Sequence, residues 1–190
     1  MPLTLTTPPA IEPVSVAEFR DTLGYGSTDQ DAVFTHLLVA AREWCEQHTW
    51  RQFITATYRL TLPHFTTELR PPRPPLVSVS SIQYYDDRNT LQTLSTDRYR
   101  VQSGSPGTIE TAGDETWPST YTRRDAVQVT FVAGYGSTEH SLPESIRVAI
   151  QYLAKHWYGC SEKTAGGQPM VVESLLAPFR CLDEFSLAGV

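Results

Sequence analysis

No stretch of the 190-residue chain is apolar for the length of a membrane span, and its start, MPLTLTTPPA, lacks the basic and apolar regions of a secretory signal. Cysteine is scarce: Cys45, Cys160 and Cys181 are an odd count at unrelated spacings, which favours free buried thiols over a disulfide framework. Basic residues are scattered apart from the pair Arg123-Arg124, so the basic stripe of a protein that grips nucleic acid is missing, and the formal net charge is −6. These absences lead to the expectation of a protein made and used in the cytosol. They leave room for one that lets DNA pass, because a channel wall should repel the phosphate backbone rather than hold it.

What is present is ordinary for a globular protein, 40% apolar and 19% charged, with more proline than usual at fourteen residues. The length allows one domain with a sizeable core, or one domain carrying an insertion. Ser15 followed by Glu18 forms a capping box, Val14 and Phe19 occupy the staple positions, and Gly24 can end the segment, so a short helix is expected over 15–23. A second is expected over 29–49, with Ser27 or Thr28 as N-cap and Phe34, Leu37, Leu38, Ala41, Cys45 and His48 forming its apolar face. From Arg51 the period changes to two: Ile54, Ala56, Tyr58, Leu60 and Leu62 alternate with Thr55, Thr57, Arg59 and Thr61. Pro71-Pro72-Arg73-Pro74-Pro75 reads as a stiff extended spacer before a strand, a turn at Asp87-Arg88-Asn89 and another strand. Short strands are expected near Tyr99–Val101 and Ile109–Glu110, and a last one from Ala126 to Val132. Pro143 opens a third helix over 143–158, with Ile146, Ala149, Ile150, Leu153 and Trp157 on one face.

These periods give an α+β fold: a small helical bundle with an inserted small antiparallel β-sheet domain and an extended C-terminal arm. The expected parts are a helical part at 1–51, a β-rich insertion at 52–132, a helix completing the bundle at 133–160, and a linker with a docking arm at 161–190. The arm follows from SEKTAGGQP, flexible by composition, and the apolar VVESLLAPFR after it, where Pro178 limits any helix. By its residues alone, such a segment either folds back on its own core or binds a neighbour.

The pentapeptide GYGST occurs at 24–28 and again at 134–138. As a phosphate loop it lacks the lysine of GxxxxGK[ST] and the third glycine of GxGxxG, so each copy reads as a turn into a helix start. Cys45 with His48, and His156 with Cys160, have spacings that could face one metal from a helix, yet both pairs sit in or beside apolar stripes and core packing explains them better. No GxSxG elbow or triad order occurs. The acid pairs Asp86-Asp87 and Asp183-Glu184 read as solvated. Trp44, Trp50, Trp117, Trp157 and Tyr158 are the aromatic candidates for contact surfaces, with Trp157 assigned to the core and Trp117, in a polar loop, to a surface.

In order along the chain, VSVAEFRDTLGY, an acidic lead into a helix ending CEQHTWRQF, RPPRPPLVSVSSIQYYDD, WP, VQVTFVAGYGS, LPESIRVAIQYLAKHWY and LLAPFR resemble the head-tail connector proteins of tailed bacteriophages, also called adaptor or head-completion proteins, including those of gene transfer agents. The likeness runs from about Ile11 to Arg180. It implies a structural virion protein without enzymatic activity or cofactor, located in the virion neck and assembled in the host cytoplasm. It implies a homo-oligomeric ring, expected to be twelve-fold, beneath the portal protein, extending the DNA channel and offering a surface to the tail or stopper protein. It favours the docking alternative for the C-terminal segment, with Leu175, Leu176 and Phe179 as anchors and Arg180 for a partner carboxylate. Trp117, Arg123, Arg124 and Tyr158 are then candidates for contacts between subunits or on the tail side. The chain departs from the family at Asp87-Arg88-Asn89-Thr90, where the hairpin turn usually carries glycine. The alternative function is a small metal-dependent enzyme using the His/Cys pairs.

Overall fold

The computed structural model describes residues 2–159 and 169–181. They divide into two units, one from Met1–Pro9 and Thr55–Tyr135, the other from Ala10–Ile54 and Gly136–Val190.

The first unit is built on an antiparallel five-stranded sheet in the order β1-β2-β7-β3-β4: β1 (Leu3–Thr7), β2 (Ala56–Leu62), β7 (Val127–Ala133), β3 (Leu76–Tyr85) and β4 (Leu91–Thr93). The long central pairs hold it together, with Ala56 opposite Ala133 through to Leu62 opposite Val127. The two-residue period puts Val127, Val129 and Phe131 on one buried face, together with Leu60, Leu62 and Ile82. A second pair, β5 (Tyr99–Gln102) with β6 (Thr108–Thr111), adds Ile109 and Tyr99 to the same core. The β3–β4 turn needs no glycine: Asn89 takes a positive φ of 58°, and Asp86 Oδ1 accepts from the N–H groups of Arg88 and Thr90.

Two sequence expectations fail in this unit. The first residues are not part of the helical portion; Leu3–Thr7 is an edge strand paired with β2. LTLTT has the β-branched and apolar alternation of a strand, but its brevity between prolines hides it. The proline-rich spacer is not extended throughout, because Arg73 adopts φ 66° and turns the chain.

The second unit contains α1 (Val16–Leu23), α2 (Asp31–Thr49), α3 (Glu144–Gly159) and α4 (Met170–Leu176). α1 packs on α2, α2 on α3 and α3 on α4. Phe34, Leu38, Ala41, Cys45, Ile146, Ala149, Ile150 and Leu153, on the stripes the spacing marks, and Phe19 at its staple position are among its buried apolar side chains. Ser15 Oγ accepts from Glu18 N–H at 3.2 Å, but the Glu18 carboxylate turns to Arg147 and Gln151 instead of closing the capping box. Arg147 is almost wholly buried; its Nε donates to Pro13 C=O, Nη2 to both Glu18 oxygens and Nη1 to Glu144. Such a fork ties a loop and two helices with one planar cation, which lysine could not copy. A second buried cluster joins Arg42 to Glu12 and Glu46, whose other oxygen accepts from Gln52 Nε2 and Phe53 N–H.

The two GYGST copies do different jobs. Gly24 ends α1 in the left-handed conformation at φ 71°, where glycine carries no penalty, and its N–H satisfies the last turn. Ser27 Oγ accepts from Asp29 N–H within the connection, while α2 itself is capped at Gln30 without a side-chain bond. In the second copy Thr138 and Ser141 cap each other around the short 3-10 turn Glu139–Ser141.

Candidate docking surfaces

The C-terminal segment was the first expected contact. It is not extended where it is described: α4 lies on α3, and Val172 and Leu176 are completely buried in the second unit. Leu176 therefore belongs to the subunit's own core, a correction to its expected role as a docking anchor, made because its apolar side chain already has an intramolecular home. Leu175 and Phe179 are half-buried and Arg180 is exposed. One backbone and one side-chain hydrogen bond also hold the segment down: Cys181 N–H donates to Thr49 C=O at 3.0 Å, and Arg51 Nε donates to Phe179 C=O. Burial first, and then the nearby Arg180 cation, hold the His48 imidazole below its usual range, against an opposing pull from Glu173.

Trp117 is half-buried and lies flat on Phe65, with ring centroids 4.8 Å apart, and Phe65 meets Tyr84 edge-on at 5.9 Å. Its Nε1 donates to Thr67 C=O at 3.4 Å, so most of this ring serves the first unit's own packing. Arg123 is likewise occupied: it pairs with Asp125, donates to Asn89 Oδ1 at 3.0 Å and sits 3.7 Å over the Tyr85 ring. The bond to Asp125 raises the Arg123 pKa and holds Asp125 below the usual carboxylate range. Arg124 is exposed and has no partner among the described residues.

In the second unit Tyr158 closes an aromatic cluster with Tyr25 and Phe34, extended to Phe19 by edge-on contacts of 5.2–5.9 Å. Its hydroxyl donates to Tyr25 Oη at 2.7 Å, and that bond is the main cause of its raised pKa. Tyr25, the tyrosine of the first GYGST, was missed by sequence reasoning although the paired tyrosines leave a partly exposed aromatic surface. Trp50, Tyr152, Met170 and Val171 are further exposed apolar groups of this unit. Trp157, assigned to the core, is half-buried.

The metal alternative finds no gathered ligands. Among the described residues no group of three His, Cys, Asp or Glu side chains could hold an ion. Burial, with the Glu46 carboxylate beside it, pushes the Cys45 thiol up to about 12, and His48 stacks on Trp44 at 4.7 Å. Cys160 lies outside the described residues.

The family model for head completion proteins matches residues 12–176. The chain belongs to the head completion protein family. It is a structural head-tail connector protein. The head completion fold is shared with solved structures of gene transfer agent particles. A chain in the neck of an empty particle, computed with C6 symmetry, superposes with a TM-score of 0.82 at 25% identity over 96% of each chain. A chain in the virion of a native particle gives 0.81 at 25% identity and the same coverage. One from a native neck with C12 symmetry shares the fold at 0.79 and 24% identity, again over 96% of each chain. No curated protein matches this head completion protein.

Proposed function

We propose that copies of this head completion protein form a homo-oligomeric ring in the virion neck, beneath the portal protein. The ring extends the DNA channel and offers its far surface to the tail or stopper protein. It acts by assembly and not as an enzyme, and is put together in the cytoplasm of the host. The carrying observation is the likeness over 96% of both chains to a protein in the neck of a gene transfer agent particle, joined to the family match.

The charge distribution supports the channel part of this reading. The first unit has eight acidic and eight basic residues, while the second has thirteen acidic and seven basic, so the whole net charge of −6 falls on the helical unit. A wall of one sign, repeated around a ring, repels DNA phosphates and does not bind them. The same repulsion opposes spontaneous crowding of free copies, so rings should form chiefly on the portal. Size measurement decides this: the purified chain alone should scatter light as a monomer or weak oligomer at low and moderate salt, and form a defined larger complex when mixed with its portal. A stable closed ring without the portal, or no complex with it, overturns the reading. Of the sequence-proposed contacts, Leu175, Phe179, Arg180, Trp117, Arg123, Arg124 and Tyr158 retain side-chain surface for partners; Leu176 does not.

A further inference from the structure

The five-stranded sheet of the first unit ends on β1. We propose that this edge is completed by an extended segment of another neck protein, added as a further strand with apolar residues at alternate positions. Natural sheet edges are blunted by charge, proline, bulges, short length or a covering element; β1 has prolines at both ends and a bulge after Leu5, but no charge. Here the first charged residue of the chain is Glu12, so Leu3–Thr7, LTLTT, carries none. The bond from Thr61 N–H to Pro2 C=O at 3.1 Å fixes the pairing parity: Pro2 and Thr4 face β2, and the N–H and C=O groups of Leu3 and Leu5 point away from it. No backbone bond among the described residues reaches them from the open side.

Side chains lead to the same kind of occupant. Leu3 packs against the first unit's core, and Leu5, on the same face two residues on, is 47% exposed. Across from Leu5, Tyr58 is half-buried and stacks on Phe131 at 5.8 Å. A strand laid along β1 would carry this apolar face one strand further, which is how strand addition obtains affinity from the backbone and specificity from alternate side chains. The irregular register between Leu5 and Thr7, followed by Pro8 and Pro9, limits the open ladder to a few residues.

A second copy does not fit. Antiparallel β1-to-β1 pairing makes a two-fold pair, which does not propagate around a cyclic ring. Joining β1 to the opposite edge, β4, of the next copy would pair it with a strand of only three residues, Leu91–Thr93, a ladder too short to hold a ring together by itself. The choice of a neck protein as occupant rests on the proposed connector role; the open edge itself does not.

The test uses L5K, which places a charge on the edge, and L5P, which removes an outward N–H without touching a β2 bond. Wild type and both variants are melted, sized, and used to convert DNA-filled, tail-less heads into complete particles. Amide exchange at Leu3 and Leu5 is measured in free wild type and in completed particles. The expected result is near-normal melting, about tenfold fewer complete particles with each variant, as the loss of one or two net hydrogen bonds gives, and Leu3 and Leu5 amides that are fast in the free chain and slow in the particle. Normal completion by both variants overturns the proposal, as do amides that stay fast in particles. Self-association of wild type that L5K abolishes also overturns it, by making a second copy the occupant. Should a variant melt low, the wild-type exchange result decides alone. Failure of wild type itself to join heads would refute the connector role and, with it, the neck occupant.

Discussion

Leu176→Ala separates a core segment from a free docking arm. Leu176 is fully buried on α4, and removing three carbons from a closed apolar site costs about 2–5 kcal/mol, the transfer loss plus the cavity left behind. The second unit spans about 100 residues, for which 1 kcal/mol moves the melting temperature by about 4–8 °C. A loss of about 3 kcal/mol would then lower the melt of that unit by about 12–24 °C. A ceiling applies, because α4 can detach as a local unit once its docking energy is exceeded, and larger cavities then cost no more. Leu175→Ala is the control: its side chain is half-buried, and the change should cost about 1 kcal/mol or less. Urea titration followed by tryptophan fluorescence, with Trp44 and Trp157 reporting on this unit, reads both. A Leu176→Ala protein as stable as wild type, within about 0.5 kcal/mol, would show that α4 contributes nothing to the free subunit and would return Leu176 to the list of docking anchors.

The two GYGST copies predict opposite results for one substitution: Gly26→Ala meets no atom within 4 Å and should be neutral or stabilising by up to about 1 kcal/mol, whereas Gly136→Ala would set its methyl against Ser141 Oγ and 2.6 Å from Ser141 Cβ and cost about 1–3 kcal/mol, both read by thermal melts. Arg147→Lys should lose about 1–2 kcal/mol in denaturant titration, because a point cation cannot reach Glu18, Glu144 and Pro13 C=O together. Asp86, held below the usual carboxylate range chiefly by the Thr90 N–H and Gln92, and Asp125, held down by Arg123, contribute stability that is present above the unfolded carboxylate pKa of about 4 and lost as pH falls through their lower folded values; Asp86→Asn should flatten that acid limb in melts of the first unit. Elemental analysis of the purified chain should find no stoichiometric metal, and one bound zinc per chain would revive the enzyme alternative.

The regular elements were legible where one period ran long enough to be unambiguous. α2 and α3 each carry a full apolar stripe, and the ends of α1, α2 and α3 fall within two residues of the expected ones; Gly24 after α1 and Pro143 before α3 act through backbone geometry that does not depend on distant partners. β2 and β7 were legible for the same reason: three or more alternations with β-branched residues mark a half-buried strand. β1 was not, because five residues between prolines have no local preference strong enough to stand out; β2 makes them a strand, by offering an unpaired edge 50 to 57 residues away in sequence. The RPPRPP segment failed differently. Proline fixes its own φ and restricts the residue before it, but Arg73, between the two proline pairs, takes a positive φ that composition does not record.

The docking residues were harder to read than the fold for a physical reason. An apolar side chain awaiting a partner and one awaiting its own core look identical in sequence, because both are selected by the same transfer free energy. VVESLLAPF announced that something would be covered; only the packing of α4 on α3 showed that Val172 and Leu176 were already provided for. Trp117 and Arg123 are ambiguous in the same way: one packs on Phe65 and the other on Asp125 and Tyr85, while both stay half-exposed. Backbone polar groups do not share this ambiguity. Each N–H and C=O must find a partner or water, so an uncharged strand with one side unpaired identifies a surface by what it lacks, whatever its side chains resemble. On that criterion β1 presents the best-defined open surface of the first unit, and a competent neck partner should protect Leu3 and Leu5 from exchange before it protects any residue of the central strands, which are protected already.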